Sequence, residues 1–277
     1  MLSCRTTALR SGGHHATLGQ APAHGLRDTK STVPEPERGT SGIMRFASPL
    51  RRATLVRRYK RFLSDHRLDD GSIVAAHCAN PGQMTGIAEA GMTTWLQDVS
   101  GNRRKLAWSW ELVCADGGLV GCHTGRPNRL VEEAISGDGI AELTGYGSLR
   151  REVVWGDHSR FDFLLEDPSR GSCYVEVKNC HMRRVGKCAE FPDAVTARGA
   201  RHMEELVSVV RAGHRAVVIW CVQRMDCDFF RVAGDVDPRF AAAVTRAAGM
   251  GVETLAYSCR LTAEDIVIDR RIPVRLS

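Results

Sequence analysis

The sequence lacks any long apolar run. The longest uncharged apolar stretch that bears on the fold is 216–222, far short of the roughly 20 residues that a membrane-spanning helix needs. We therefore do not expect an integral membrane protein, nor a membrane as a partner. The stretch is instead typical of a strand buried within a sheet.

Cysteine pairs with the spacing of a metal or redox motif are also missing. The chain has 10 cysteines, but none of them form a Cys-x-x-Cys pair, so zinc-ribbon and thioredoxin-like sites lose their main support. Cys221 lies within the apolar stretch, and Cys173 alternates with Val175. Such cysteines behave as small apolar residues, and we expect a reducing, cytoplasmic setting.

Acidic residues are absent from the first 27 residues, which contain Arg5, Arg10 and Arg27. Residues 1–43 show no sustained apolar period, and they predict a disordered N-terminal extension. Two alternatives stay open: an organelle transit peptide, and a protein that begins at Met44.

Positive charge is concentrated in one part of the chain. Of the formal charge of +6, residues 1–43 contribute +2, residues 44–125 contribute +4, and residues 126–277 contribute zero. Apolar residues make up 43% of the chain, which is enough for a packed core. The positive excess over residues 44–125 is a modest signal for a polyanionic partner.

Residues 44–125 read as a small β-barrel. Short β-type runs at 53–63, 72–77, 93–97, 105–114 and 119–123 are separated by turn segments such as Asp69-Asp70-Gly71. About five strands in this length are typical of a closed or partly open antiparallel barrel such as an OB-fold.

Basic and aromatic residues are interleaved in the predicted barrel. Arginine and lysine neutralise phosphates, and aromatic rings stack on bases. The candidate nucleic-acid contacts are Arg57, Arg58, Tyr59, Lys60, Arg61, Arg103, Arg104 and Lys105. The alternative is a solvated edge strand that its charges protect from aggregation.

Residues 126–277 predict a mixed α/β domain. Helical periods cover 129–136, 196–211 and 238–248, and strand patterns cover 149–155, 160–165, 173–179, 216–222 and 252–257. This order is typical of helices packed on a mixed sheet. The chain as a whole is therefore of the α/β (α+β) class.

Two neighbouring predicted strands carry three functional groups. Alternation places Glu176 and Lys178 on one face of their strand, and pairing with the preceding strand would bring Asp162 beside Glu176. Two adjacent carboxylates repel each other unless a cation lies between them, and Mg²⁺ or Mn²⁺ takes oxygen ligands of this kind. We therefore predict Asp162, Glu176 and Lys178 as catalytic residues of a metal-dependent phosphodiesterase, with both carboxylates as metal ligands. The alternative is a solvated sheet face with a weak Glu–Lys pair.

The hairpin resembles the PD-(D/E)XK nuclease signature, and the chain from Met44 onward resembles the sugar fermentation stimulation protein A (SfsA) family. The matching segments are RATLVRRYKRFL (52–63), HCANPGQM (77–84), PNRLVEEA (127–134), SRFDF (159–163), YVEVK (174–178) and FPDAVTARG (191–199). The resemblance implies an N-terminal OB-fold followed by a restriction-endonuclease-like domain, DNA binding and a prokaryotic cytoplasmic setting.

Nucleases of this kind are expected to take a third carboxylate from the helix before the hairpin. Glu132 is our choice because it lies on the longer helix, and Glu142 stays open as the alternative. Asp193 and Arg198 precede or begin the next helix, where they could contact phosphate or cap the helix.

Two classes of function follow. The first is a Mg²⁺- or Mn²⁺-dependent nuclease that cleaves DNA or RNA. The second is a DNA-binding regulator of sugar-utilisation genes without catalysis. The retained Asp162, Glu176 and Lys178 favour the first. Strandedness, sequence preference and assembly as a homodimer stay open.

Overall fold

The computed structural model describes residues 43–101, 105–156 and 159–276. Apart from Ile43, the predicted extension lies outside the described residues, as do the predicted nucleic-acid contacts Arg103 and Arg104. In chain order the strands are β1 Met44–Arg45, β2 Arg51–Tyr59, β3 Leu63–Leu68, β4 Ile73–His77, β5 Thr93–Asp98, β6 Trp108–Ala115, β7 Gly118–Gly121, β8 Ser148–Trp155, β9 Ser159–Asp167, β10 Gly171–Cys180, β11 Cys188–Phe191, β12 Arg215–Val222, β13 Phe229–Val232, β14 Glu253–Leu261, β15 Asp265–Ile272 and β16 Val274–Arg275. The helices are α1 Pro127–Ser136, α2 Ala197–Arg211 and α3 Pro238–Gly249, and a 3₁₀ turn covers Ala141–Leu143.

The N-terminal strands form a five-stranded barrel, as predicted, but β3 was not among the predicted strands, and the predicted strand 119–123 corresponds to β7. Their order is β4-β3-β2-β5-β6, and a short parallel pairing of β4 with β6 closes the sheet on itself. Strand β7 extends the sheet as a hairpin with β6. Alternate residues of each strand point inward, so Leu55, Leu96 and Trp110 form the barrel core, each at most 1% exposed.

The first predicted strand, 53–63, is in fact the start of a hairpin. Strand β2 ends at Tyr59, the chain turns through Lys60, Arg61 and Phe62, and β3 begins at Leu63. Lys60 and Arg61 reverse the chain with positive φ angles of 48° and 62°. Sequence patterning missed this turn because glycine and asparagine, the residues that favour such angles, are both absent from it.

The C-terminal domain is built on a seven-stranded mixed sheet of order β1-β15-β14-β12-β10-β9-β8. Strands β10, β12 and β14 are parallel, and the predicted buried strand β12 lies between the other two. Leu130 of α1 packs with Val175 on one face of the sheet, whereas Leu206 of α2 and Phe240 of α3 pack with Trp220 on the other. Strands β11, β13 and β16 form a second, small parallel sheet.

The predicted boundary at residue 44 differs from the observed pairing. Met44 and Arg45 form β1, which pairs with Ile266 and Asp265 of β15, so these residues belong to the C-terminal sheet. Strand β15 itself was not predicted, because its second half contains Asp269 and Arg270 and shows no apolar period. Nothing local in the sequence indicates that residues more than 200 positions apart will pair.

The barrel and the C-terminal domain share an apolar cluster and polar contacts made by a buried arginine. Leu112 of β6 lies in the same apolar cluster as Leu130 and Val175. Arg224, which is 1% exposed, donates to the carboxylate of Asp116 in the barrel hairpin and to that of Asp226 beside it. None of the helices in the described ranges is long and apolar enough to cross a membrane.

Candidate functional site

Strands β9 and β10 place Asp162 at the point where their pairing ends. The last antiparallel partners are Phe163 and Val175. The next contact between the two strands is made by a side chain: Oδ2 of Asp162 accepts a hydrogen bond from the backbone N–H of Val177 at 2.7 Å. Its Oδ1 accepts from Nδ2 of Asn128 on α1 at 2.6 Å. The hairpin therefore holds the Asp162 carboxylate next to the segment that carries Glu176.

The Asp162 carboxylate lies in a site that disfavours negative charge. Burial raises the pKa of Asp162 to about 6, and the negative charge of Glu176 adds to the effect. The two carboxylates are thus close enough to repel each other, as the sequence predicted, and a bound cation would relieve the repulsion.

Glu176 is buried, at 3% exposure, and its two carboxylate oxygens differ. Oε1 accepts from Nζ of Lys178 and from Nδ1 of His202, each at 2.5 Å. Oε2 is buried and has no hydrogen-bond partner among the described residues. Burial acts to raise the pKa of Glu176, but the hydrogen bond from His202 and the charge of Lys178 outweigh it and hold the pKa below its usual value.

An unpartnered carboxylate oxygen in a buried site is costly unless something binds it. Oε2 of Glu176 and the adjacent Asp162 fit the oxygen ligand set of a divalent cation such as Mg²⁺ or Mn²⁺. The residues that the sequence predicted for this role are therefore chemically suited to it.

His202 is a site residue that the sequence did not predict. Arg198 Nε donates to Nε2 of His202 at 3.2 Å, so we assign the ring proton to Nδ1, from which it is donated to Glu176. The two residues are four apart on α2, which places them on one helix face. That spacing was visible in the sequence, but it does not show which carboxylate the face meets.

Asp193 and Arg198 have roles other than capping α2. Thr196 is the cap, because its side chain accepts from the N–H of Gly199. Asp193 instead accepts from the backbone N–H of Met84 in the barrel at 3.1 Å. A Cβ atom on Gly82 would lie 2.3 Å from the Asp193 carboxylate, so this contact needs glycine at position 82.

Both candidates for the third carboxylate are paired with residues other than Asp162 and Glu176. Glu132 makes an ion pair with Arg151 of β8, and Glu142 accepts from the Tyr257 hydroxyl and pairs with Arg271. Over the described ranges, no three His, Cys, Asp or Glu side chains are grouped so that they could hold a metal ion. Glu132 is four residues from Asn128 on α1, so it shares a helix face with the residue that donates to Asp162.

The predicted basic surface of the barrel divides into engaged and free side chains. Arg57 pairs with Asp65 at 2.8 Å and lies over the ring of Tyr59, whose hydroxyl also donates to Asp65. Arg58 donates to four backbone carbonyls, two of which belong to Asn80 and Gly82. Among the described members of the predicted set, Arg57, Lys60, Arg61 and Lys105 are exposed, and of these Arg57 is paired with Asp65.

A closed five-stranded barrel followed by a mixed-sheet domain with an Asp–Glu–Lys hairpin defines a class of two-domain proteins with a restriction-endonuclease-like module. The chain matches the family model described as the SfsA N-terminal OB domain over residues 56–122. It matches the model described as the sugar fermentation stimulation protein RE domain over residues 125–265. The chain belongs to the sugar fermentation stimulation protein family.

Relatives of this family match over most of their length. The chain is 56% identical to the sugar fermentation stimulation protein homolog of Rhodospirillum centenum over 229 residues, which cover 83% of this chain and 98% of the relative. It is 50% identical to the homolog of Maricaulis maris over 234 residues, with 84% and 100% covered. Among solved structures, the SfsA protein of Pyrococcus furiosus in complex with Ca²⁺ superposes with a TM-score of 0.76 at 25% identity, and covers 84% of this chain and 98% of that one.

Proposed function

We propose that this protein is a divalent-metal-dependent nuclease whose barrel holds the nucleic acid. The observation that carries the proposal is the buried, unpartnered Oε2 of Glu176 beside the Asp162 carboxylate. The related protein of Pyrococcus furiosus was solved in complex with Ca²⁺, which supports a divalent cation as a ligand of this chain. Mg²⁺ and Mn²⁺ are the cofactors that we propose for this chain.

Asp162 and Glu176 would hold the metal, with Glu132 as our choice for a third ligand. A bound divalent cation polarises a phosphoryl oxygen and makes its bound water more acidic. Lys178 lies within reach of the same carboxylate, and its ammonium group can orient a water molecule or stabilise the negative charge that develops on the phosphate. His202 and Arg198 keep the Glu176 carboxylate in one orientation.

The proposed alternative is a DNA-binding regulator in which the hairpin is only a scaffold. One observation favours it: protein donors already occupy both oxygens of Asp162, from Asn128 and from the N–H of Val177. In that case the carboxylates would need no metal.

A cleavage assay distinguishes the two functions. The full chain is incubated with single- and double-stranded DNA and RNA in Mg²⁺, in Mn²⁺ and in chelator. We expect the wild type to cleave in Mg²⁺ or Mn²⁺ but not in chelator. The variants Glu176→Gln and Lys178→Met should not cleave under any of these conditions. Glu166→Gln is the matched control, because Glu166 lies on the same hairpin and pairs with Arg150 at the surface. Binding without cleavage of any substrate would favour the regulator.

A further inference from the structure

The turn between β2 and β3 has a conformation that its residues rarely adopt. Lys60 and Arg61 both have positive φ, at 48° and 62°. The guanidinium of Arg58 holds the turn in place, since its Nη2 donates to the carbonyls of Arg61 at 3.0 Å and of Asn80 and Gly82 at 2.8 and 2.9 Å. Arg58 is half-buried, and strained backbone that the surrounding structure maintains is often found at binding sites.

Phe62 follows these two residues and points into solvent. At 46% exposure it is the one exposed aromatic side chain among residues 43–101, 105–156 and 159–276. Its ring lies nearly parallel to that of His77, with 6.4 Å between the ring centroids and 15° between the planes. The ring is thus oriented by a neighbour while part of it stays open.

Two positively charged residues directly precede this ring in the chain. Lys60 and Arg61 are exposed, and neither makes an ion pair within the described part of the chain. Arg57, two residues earlier than Tyr59 on β2, differs because Asp65 neutralises it. A partner with regularly spaced negative charges would therefore meet two adjacent unneutralised cations, Lys60 and Arg61.

We propose that the turn is a stacking platform for single-stranded nucleic acid. A base stacks on the open face of Phe62, and Lys60 and Arg61 bind the neighbouring phosphates. In a duplex the base faces are covered by adjacent base pairs, so a duplex could use the charges but not the ring. This inference rests on the proposed function and names the strandedness of its substrate.

The platform is joined to the nuclease domain by a short series of contacts. Arg58 links the turn to residues 80–83, and the next residue, Met84, donates to Asp193. Asp193 precedes α2, the helix that carries Arg198 and His202. A strand held on Phe62 would therefore lie on the part of the barrel that contacts the domain with the carboxylate pair.

Fluorescence anisotropy of labelled oligonucleotides of about 15 nucleotides tests the platform, with the full chain in chelator so that nothing is cut. We expect tighter binding of the single strand than of the duplex of the same sequence. Phe62→Ala should weaken single-strand binding by about 10-fold without changing its salt dependence, and Phe62→Trp should retain it. Arg61→Ala should lower the slope of log affinity against log salt by about 0.7, the value for one phosphate contact on a single strand.

Ile73→Ala is the matched control, because Ile73 is an equally exposed apolar residue of the same barrel, at 51%. The proposal is overturned if neither strand form binds, if Phe62→Ala binds like the wild type, or if Ile73→Ala causes the same loss. Because binding is measured without metal, absence of cleavage leaves this test intact. Conversely, metal-dependent cleavage that Phe62→Ala does not affect would leave the nuclease standing and remove the platform.

Discussion

At the scale of single residues, strand patterning predicts where Asp162, Glu176 and Lys178 lie, but not which residues support them. Asp162, Glu176 and Lys178 could be identified because alternation along two strands is local information. His202 could not, because its contact with Glu176 joins residues 26 positions apart on a helix and a strand. The orientation of the Glu176 carboxylate depends on that contact.

We predict that His202 sets the metal affinity of the site. His202→Ala should weaken Mn²⁺ binding by about 10- to 100-fold, the usual cost of losing a group that orients a metal ligand. His202→Asn should recover part of the affinity, because its amide can donate from near the position of Nδ1. Isothermal titration calorimetry measures both, with Arg201→Ala as a control on the exposed side of α2. Equal losses in the Asn and Ala variants would show that His202 only fills space.

At the scale of elements, the barrel contains two features that sequence patterning does not predict: a turn without glycine and a buried histidine. The run 53–63 has continuous β-type character, yet Lys60 and Arg61 turn the chain with no glycine to indicate it. The barrel also encloses a polar group: His66 is fully buried and bonds to the hydroxyls of Ser64 and Thr94 at 2.8 and 2.9 Å. Alternation predicts that residue 66 faces inward only once β3 is recognised as a separate strand.

We predict that His66 makes the barrel sensitive to acid. Burial lowers the pKa of His66 to about 4, whereas the unfolded chain takes up the proton near 6.5. Between these values the unfolded state is protonated and the folded state is not, so the free energy of unfolding falls as pH decreases. Between pH 7 and pH 5 the wild type should lose about 2 kcal/mol more than His66→Asn. Urea unfolding at the two pH values measures the difference, and identical pH dependence in both proteins would contradict it.

At the scale of the whole molecule, the two domains are joined by a shared apolar cluster and by the contact of Arg224 with Asp116. Fold class and domain order were predictable because the spacing of apolar residues and the turn residues differ between the two domains. Two contacts could not be predicted: the pairing of β1 with β15 of the C-terminal sheet, and the contact of Asp116 with Arg224. Both depend on how the two domains pack against each other.

We predict that Arg224 stabilises this interface. A lysine at this position cannot reach Asp116, Asp226 and the carbonyl of His181 together, as the guanidinium does. Arg224→Lys should therefore lower the free energy of unfolding by about 2 kcal/mol, because the buried carbonyl of His181 loses its donor, whereas Asp116 and Asp226 keep their ion pairs with Arg183. Chemical denaturation measures this, and the same change at the exposed Arg239 should have no effect. Equal stability of the Arg224 variant and the wild type would contradict a stabilising role of Arg224 at this interface.

The central claim is that Asp162 and Glu176 form a metal site, and thermal melting of Asp162→Asn across a Mg²⁺ and Mn²⁺ titration tests it most directly. An asparagine can still accept from the N–H of Val177 and donate to a flipped Asn128 amide, while the repulsion of Glu176 disappears. We expect the metal-free variant to melt at the wild-type temperature or slightly above. We expect the metals to raise the melting temperature of the wild type alone, because ligands that bind the native state stabilise it. A wild-type melting temperature that does not change in millimolar Mg²⁺ or Mn²⁺ would contradict the metal site.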